Sequence, residues 1–279
     1  MYEKLASGYA TQFIERRRDF AEIMTWLNSK RHDQAFDVFS TACLSKKPGR
    51  VVKKMKHAMH PPFSILDVAR WTKAQKVFVA RQMASAQEAR MFDMSGAGRE
   101  LFPERAVFLA NSIFVFDEDG VTSYFLISGG ISHHAIKRML EREVSSPETL
   151  KDDVEEILME AFGFRTALEH AERAQGTHLD DTQVFDIPVP FRGGALILRT
   201  LQAGVDLKGV ATDRLPIFSA RTFLPEAMLT DRLRARMEGY PSDRHSLPAS
   251  DGVDATLDWM TRAAEPAGDR IAPEGREKA

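Results

Sequence analysis

Cysteine is almost absent from the chain, which has one, Cys43, among its 279 residues. A single thiol excludes an intramolecular disulfide framework, and it excludes a zinc site built from several cysteines. Long apolar runs are also lacking, because no stretch approaches the roughly 18 residues that a membrane-spanning helix needs. The first twenty residues contain acidic side chains and no continuous apolar core, so we expect no secretory signal there. Together these absences predict a cytoplasmic protein.

Several motifs that commonly bind nucleotides or support hydrolysis are missing. The chain contains neither Gly-x4-Gly-Lys-Ser/Thr nor Gly-x-Gly-x2-Gly, and no Gly-x-Ser-x-Gly sequence surrounds a serine. The pair Gly193-Gly194 lies between two extended segments, with no helical pattern after it, so it predicts a hairpin turn instead of a phosphate loop.

Histidine pairs with the spacing of helical metal ligands are absent as well. His178, Asp180 and Asp181 could offer one nitrogen and two oxygens to a cation, but their hydrophilic segment is more typical of a solvated turn. We therefore expect neither a metal ion nor a cofactor.

The remaining composition is that of a folded globular protein. Hydrophobic residues make up 43% of the chain and charged residues 28%, which is enough apolar material for a core and excludes a wholly disordered chain. The formal net charge is only −2, but the charges are unevenly distributed, since residues 1–60 hold twelve basic and six acidic residues.

The densest basic stretch spans residues 46–56, where six of eleven residues are basic and none is acidic. The basic residues of this stretch are Lys46, Lys47, Arg50, Lys53, Lys54 and Lys56. Such a stretch attracts a nucleic-acid backbone, acidic lipid headgroups or an acidic protein partner. The alternative is a solvated helix face, because no aromatic residue lies between the lysines to stack on bases. Residues 141–160 carry eight acidic residues, so this acidic segment could face the basic one within a molecule or between two.

The first 95 residues are predicted to be a helical region. Leu5, Tyr9 and Phe13, continued by Phe20, Met24 and Leu27, recur at the spacing of one helix face. Asp33 is a candidate cap for a second helix, on whose apolar side Cys43 would be inert core. A long third helix is expected from Ser64 to Ala86, and Ser95-Gly96-Ala97-Gly98 then marks a domain boundary.

Residues 96–240 are predicted to form a domain of strands and helices. Two strands should flank a hairpin turn at Asp119-Gly120, and the second should stop at Gly129-Gly130. A short helix capped by Ser132, a long helix after Pro147, three strands and a last helix from Pro225 follow. The predicted class is α+β, with a helical N-terminal region followed by a small antiparallel sheet packed with helices.

Residues 241–279 are rich in Pro, Ser, Asp, Gly and Ala, and they predict a mobile tail. Within it, Val253, Leu257 and Met260 share one helical face beside Trp259. This short segment either docks on the folded part or carries an incidental pattern.

One helix carries residues suited to catalysis. His134, Arg138 and Arg142 follow Ser132 at successive helical turns and project along nearly one face. An imidazole accepts or gives a proton near neutral pH, and a guanidinium makes two parallel hydrogen bonds to a phosphoryl group. His133 points about 100° away and is not expected to join them. The alternative is a structural helix whose arginines pair with Glu141, Glu143 or Glu155.

This helix and the elements after it resemble the small metal-independent ribonucleases of the barnase and RelE-like toxin group. The resemblance rests on Ser132, His134, Ala135, Arg138, Glu141 and Arg142, and on Arg221-Thr222-Phe223-Leu224. It covers residues 130–240. The first ninety residues have no counterpart in that group, and the long acidic helix is larger than is usual there.

The resemblance implies RNA binding and cleavage without a metal. His134 would take the proton of a ribose 2′-hydroxyl, and Arg138 with Arg142 or Arg221 would hold the scissile phosphate. Thr222 would donate a hydrogen bond to a phosphoryl oxygen. The alternative function is a non-enzymatic scaffold or adaptor that binds a partner through its basic and helical surfaces.

Overall fold

The structure is a computed structural model that describes residues 2–44, 48–87, 104–175, 185–201, 217–241 and 250–266. In these ranges the chain forms eight α-helices and nine β-strands that belong to one mixed sheet. The predicted α+β class is confirmed.

The helices lie on both sides of the sheet. Their bounds are α1 Tyr2–Glu15, α2 Phe20–Leu27, α3 Lys30–Cys43, α4 Pro48–Met59, α5 His133–Glu141, α6 Leu150–Gln175, α7 Asp231–Met237 and α8 Ser250–Ala263, with a 3-10 turn at Glu226–Met228. The strands are β1 Arg18–Asp19, β2 Ile65–Trp71, β3 Lys76–Gln87, β4 Arg105–Asp117, β5 Gly120–Ser132, β6 Phe185–Phe191, β7 Gly194–Leu201, β8 Ile217–Pro225 and β9 Glu265–Pro266. No helix of the described ranges is long and apolar enough to cross a membrane.

The sheet consists of two mainly antiparallel groups of strands joined by the parallel pairing of β5 with β8, and the two-residue strand β1 also pairs in parallel with β3. Its strand order is β1-β3-β4-β5-β8-β7-β6-β9, and β2 pairs with β3 beside β1. β5 and β8 run parallel, with Gly129, Gly130 and Ile131 opposite Phe218, Ser219 and Ala220. The end of β5, and therefore the start of α5, lies next to the middle of β8.

Helices cover both faces of the sheet. Along β4, Val107 and Leu109 belong to one hydrophobic core, whereas Ala106, Phe108 and Ala110 belong to another, because successive strand residues point to opposite sides. We call the side with Val107 the first face; α1, α5, α6 and α8 pack there. The other side is the second face, and α2, α3 and α4 pack on it.

Both predicted hairpin turns are present. β4 and β5 connect through a turn at Glu118 and Asp119, and Gly120, the first residue of β5, has φ +117°. β6 and β7 connect through Arg192 and Gly193, and both have positive φ, 40° and 73°. Positive φ at both central residues of the β6–β7 turn matches the right-handed twist of the strands, so this short turn fixes the register of that hairpin.

The predicted strand stop at Gly129-Gly130 is wrong, since β5 continues through both residues to Ser132. Their function is close packing. A Cβ on Gly129 would lie 2.3 Å from the Cβ of Ala161 in α6, and one on Gly130 would lie 2.6 Å from the ring of Phe108. Glycine therefore lets α6 approach the sheet backbone directly.

The predicted long helix from Ser64 to Ala86 is also wrong. The segment forms β2 and β3, which meet in an antiparallel hairpin. β3 then pairs with β4 at every position from Lys76↔Phe116 to Gln87↔Arg105. This ladder overrides the helical spacing of the apolar residues, because strand formation depends on neighbouring strands more than on local preference. The sheet therefore continues across the position near residue 95 where the sequence predicts a boundary; a division into domains there stays a prediction.

The apolar residues predicted to share one N-terminal helix face fall on two separate helices, α1 and α2. Leu5 and Tyr9 are exposed, and α1 instead buries Ala6, Ala10 and Ile14. The chain leaves α1 at Glu15, and Asp19 caps a new helix by accepting the N–H of Ala21. The cap of α3 is Ser29, whose side chain accepts the N–H of Arg31, and not Asp33. Cys43 is buried in this helix as predicted.

The C-terminal helix α8 packs on the folded part of the chain, which is the first of the two alternatives for this segment. In α8, Trp259 is fully buried and stacks on Phe164 of α6 at a centroid distance of 5.7 Å. Tyr240 contacts the same indole edge-on at 5.0 Å. β9 then adds to the sheet beside β6. A mobile tail over residues 241–279, apart from this docked segment, stays a prediction. Residues 242–249 and 267–279, and the side chain of Val253, lie outside the described part of the chain.

We expect Trp259→Ala to destabilise the whole fold by about 3–5 kcal/mol, because it leaves a large cavity against Phe164 and Tyr240. Urea unfolding followed by circular dichroism measures the change. Asp258→Ala, at an exposed neighbouring position, is the matched control and should change little. Equal stabilities for the two variants would contradict the docking of α8.

Candidate functional site

The hydroxyl of Ser132 connects α5 to β8. Its oxygen accepts the N–H of Ala135 at 3.1 Å, which caps the helix, and it donates to the carbonyl of Arg221 at 3.2 Å. The register between β7 and β8 shifts here, with Ile197 opposite Thr222 and Leu198 opposite Ala220. Arg221 is thus the extra residue of a β-bulge, a feature that redirects a side chain locally.

α5 is amphipathic as the sequence predicts. It buries Ala135, Ile136, Met139 and Leu140 on the first face of the sheet. His134, Lys137, Arg138 and Glu141 are only partly buried and form the polar side of the helix.

His134 and Arg138 lie one helical turn apart and face each other. The Nε of Arg138 is 3.5 Å from the Nε2 of His134, so the imidazole can accept from the guanidinium at that nitrogen. The backbone N–H of His134 donates to the carboxylate of Glu104 at 2.9 Å. Glu104 precedes β4, so this bond ties the first turn of α5 to the sheet.

Burial lowers the pKa of His134 below its ordinary value of 6.5. The negative charge of Glu104 opposes this shift, whereas the positive charges of Arg138, Lys137 and Arg221 add to it. The imidazole is therefore mainly neutral at pH 7 and available as a proton acceptor. Arg221 is tied to the start of α5 through its carbonyl, which accepts from Ser132.

Arg138 also takes part in a network of ion pairs. Its Nη1 lies 2.9 Å from the carboxylate of Glu141, whose side chain is only 11% exposed. Lys137 reaches the same carboxylate at 3.3 Å and Glu3 of α1 at 2.8 Å. The pairing of Arg138 with Glu141, foreseen as the structural alternative, is thus present, while the Nε of Arg138 faces His134 and its side chain is 39% exposed.

The other two residues of the predicted catalytic group are placed differently. Arg142 donates to the carbonyl of Phe223 and therefore anchors the end of α5 on β8. Burial lowers the pKa of Arg142, and the charge of Arg138 lowers it further, without removing its charge near neutrality. Thr222 is half-buried and pairs with Ile197 in the ladder.

The basic residues of α4 lie on the second face of the sheet. Val51, Met55 and Met59 are buried there, which leaves Arg50, Lys53, Lys54 and Lys56 exposed on the outside of the helix. Since α5 packs on the first face, the two predicted basic sites do not share one surface. Lys46 and Lys47 lie outside the described residues.

Two acidic residues complete the surroundings of His134. Glu104 had no local signal, because it precedes β4 and meets α5 only through the fold. Glu141 was visible as part of the helix motif, and its spacing of three residues from Arg138 is that of a helical ion pair.

Among the residues that the structure describes, no group of three His, Cys, Asp or Glu side chains could hold a metal ion. His178, Asp180 and Asp181 fall outside those residues. Comparisons of the chain with protein-family models, with curated proteins and with solved structures gave no match.

We expect His134 to titrate below pH 6.5 in the folded protein, as followed by NMR of the imidazole and assigned with His134→Gln. Because the folded pKa is depressed, the unfolded chain binds more protons below pH 6.5. The contribution of His134 to stability is thus present above that pH and is lost as pH falls through the folded pKa.

Glu104→Gln is the matched variant, since an amide oxygen can still accept the N–H of His134 while the negative charge is gone. We expect it to lower the pKa of His134 further. A midpoint at or above 6.5 in the unaltered protein, or a higher midpoint in Glu104→Gln, would contradict this electrostatic description.

Proposed function

We propose that the chain binds single-stranded RNA and cleaves it without a metal ion, at a site made of His134, Arg138 and Arg221. The observation that carries the proposal is the pairing of His134 with Arg138, in which the Nε2 of the imidazole lies 3.5 Å from the Nε of the guanidinium. Burial, with the positive charges of Arg138 and Arg221, lowers the pKa of His134. A general base beside fixed positive charge is the arrangement that phosphodiester cleavage requires.

In the proposed reaction, His134 takes the proton from the ribose 2′-hydroxyl. The 2′-oxygen then forms a bond to phosphorus, and the bond from phosphorus to the 5′-oxygen of the next nucleotide breaks. The departing 5′-oxygen takes a proton from water, and the hydroxide left behind takes the proton that His134 holds, which restores the neutral imidazole. The products are a 2′,3′-cyclic phosphate and a free 5′-hydroxyl, so atoms and charge balance without any oxidant or cation.

Arg138 and Arg221 would hold the scissile phosphate and stabilise the negative charge that grows on its oxygens. Arg138 is suited to this because Glu141 orients its guanidinium, and the exposed part of the side chain remains accessible. Arg142 would act indirectly, by anchoring α5 on β8. Thr222 follows Arg221 on β8 and is kept as a candidate hydrogen-bond donor to the phosphate.

The alternative of a non-enzymatic adaptor would gain support from a His134 buried among apolar side chains. His134 is instead half-buried, with Glu104 and Arg138 as its polar neighbours, which favours chemistry over packing. In the proposal the protein acts in the cytoplasm, and the exposed cations of α4 bind RNA phosphates or an acidic protein on the second face.

Replacing His134, the proposed general base, tests whether the protein cleaves RNA at this site. We expect His134→Ala to reduce cleavage of single-stranded RNA by about 10²–10⁴-fold, the range of a general acid–base contribution. Arg138→Lys should also impair cleavage, because lysine keeps the charge but loses the paired hydrogen bonds. The assay uses end-labelled RNA, with end-group analysis for the cyclic phosphate, and EDTA should have no effect.

Two controls separate chemistry from folding. His133→Ala removes the neighbouring imidazole, which bonds to Thr11 instead, and Arg31→Lys repeats the second change on an exposed position of α3. Both should cleave like the unaltered protein. An absence of cleavage under all conditions, or cleavage that persists in a folded His134→Ala variant, would reject the ribonuclease and favour the adaptor.

Charge reversal tests α4 separately. We expect the double change of Lys53→Glu and Lys54→Glu to weaken RNA binding on all sequences alike and to reduce its dependence on salt, with a slope of roughly 0.7 per lost phosphate contact. Both side chains are exposed, so the melting temperature should hardly move. Fluorescence anisotropy across a salt series measures the slope; an unchanged affinity would remove α4 from RNA binding.

A further inference from the structure

We infer that Arg105 forms a second phosphate-binding subsite beside the His134 site, which makes the ligand a polynucleotide with at least two phosphates. This inference rests on the proposed function and extends it from the reacting phosphate to a neighbouring one. No sequence pattern singles out Arg105, whose placement one strand away from the start of α5 is a product of the fold.

The backbone of Arg105 lies close to the start of α5. Glu104, the residue before Arg105, binds the N–H of His134 at 2.9 Å. The residue after it, Ala106, pairs with Ser132, the cap of α5. The backbone of Arg105 therefore lies one strand away from the start of the helix that carries His134 and Arg138.

The side chain of Arg105 lies on the first face of the sheet. The Nη2 of Arg105 donates to the hydroxyl of Ser85 at 3.2 Å. Ser85 pairs with Val107, whose side chain belongs to the core of the first face. The guanidinium of Arg105 thus lies on the same face of the sheet as α5, whereas α4 lies on the other.

The guanidinium of Arg105 is accessible to a ligand. The Arg105 side chain is 53% exposed, and its carboxylate neighbour, Asp19, is 59% exposed and 3.9 Å away. Such an exposed pair contributes little, so a phosphate can displace it. Asp19 already uses its Oδ1 to cap α2, and Ser85 takes only one of the five donors of the guanidinium.

Arg105 and Arg221 are far enough apart to bind two different phosphates. The strand order β4-β5-β8 places Arg105 and Arg221 on opposite sides of the end of β5, from which α5 begins. Two strand spacings separate their backbones, about 10 Å. The guanidinium of Arg105 extends further from Arg221, over β3 towards Ser85 and Asp19. One phosphate near Arg138 and Arg221 and another near Arg105 then belong to successive parts of one chain, which a mononucleotide cannot provide.

The experiment measures binding of a short single-stranded RNA whose 2′-hydroxyls are methylated, so that it cannot be cleaved. We expect Arg105→Gln to weaken binding and to reduce the log–log salt slope by roughly 0.7, the value of one phosphate contact. Asp19→Asn should strengthen binding, because it removes the competing charge and keeps a side chain that caps α2. Binding of adenosine 3′-monophosphate should be the same in Arg105→Gln and the unaltered protein.

Arg70→Gln is the matched control, since Arg70 is an exposed arginine with one neutral partner, Gln75, towards the opposite end of β3. RNA binding with a salt slope that falls equally little in Arg70→Gln and Arg105→Gln would overturn the subsite while leaving the proposed function intact. No salt-dependent RNA binding by the unaltered protein would overturn both. Opposite effects of Arg105→Gln and Asp19→Asn would support the subsite, because a purely structural role of the pair predicts the same direction for both.

Discussion

The fully buried hydroxyl of Ser132 is the interaction on which the candidate site depends. It ends β5, caps α5 and bonds to the backbone of Arg221, 89 residues further along the chain. A buried hydroxyl that satisfies both its donor and its acceptor is held in one geometry, since losing either partner leaves a costly unpaired group. That geometry fixes the first turn of α5, with His134 on it, against the bulge of β8.

The surrounding sheet makes this contact possible. β5 reaches β8 because Gly129 lets α6 lie directly on the strand, while Arg165 of the same helix donates to the carbonyl of Ile127 at 2.5 Å. The parallel pairing of β5 with β8 then joins two hairpin systems that are distant in the sequence. The candidate site assembled from α5, β4 and β8 depends on that junction, so its geometry is decided far from His134 and Arg138.

The electrostatics of the site follow from how its charges are balanced. Arg138, Lys137 and Arg221 disfavour a further positive charge, and burial acts in the same direction, so the imidazole of His134 is held neutral. Glu141 and Glu104 limit the repulsion by pairing with Arg138 and by holding the backbone of the first turn. The result is an uncharged base next to cations, which suits an anionic ligand and would not suit a cationic one.

Local patterns predicted the elements whose stability is local. The helix behind Ser132, its buried side, and the two hairpin turns near Gly120 and Gly193 follow from a cap, a 3.6-residue period and positive φ, all of which act between near neighbours. Strand β3 did not follow, because its hydrogen-bond partners lie on β4 and its apolar residues also fit a helix. The contact of Glu104 with His134 and that of Ser132 with Arg221 were beyond local patterns for the same reason. Sequence alone determined the α+β class and the polar helix of His134, whereas strand pairing between distant segments decided which charged groups surround it.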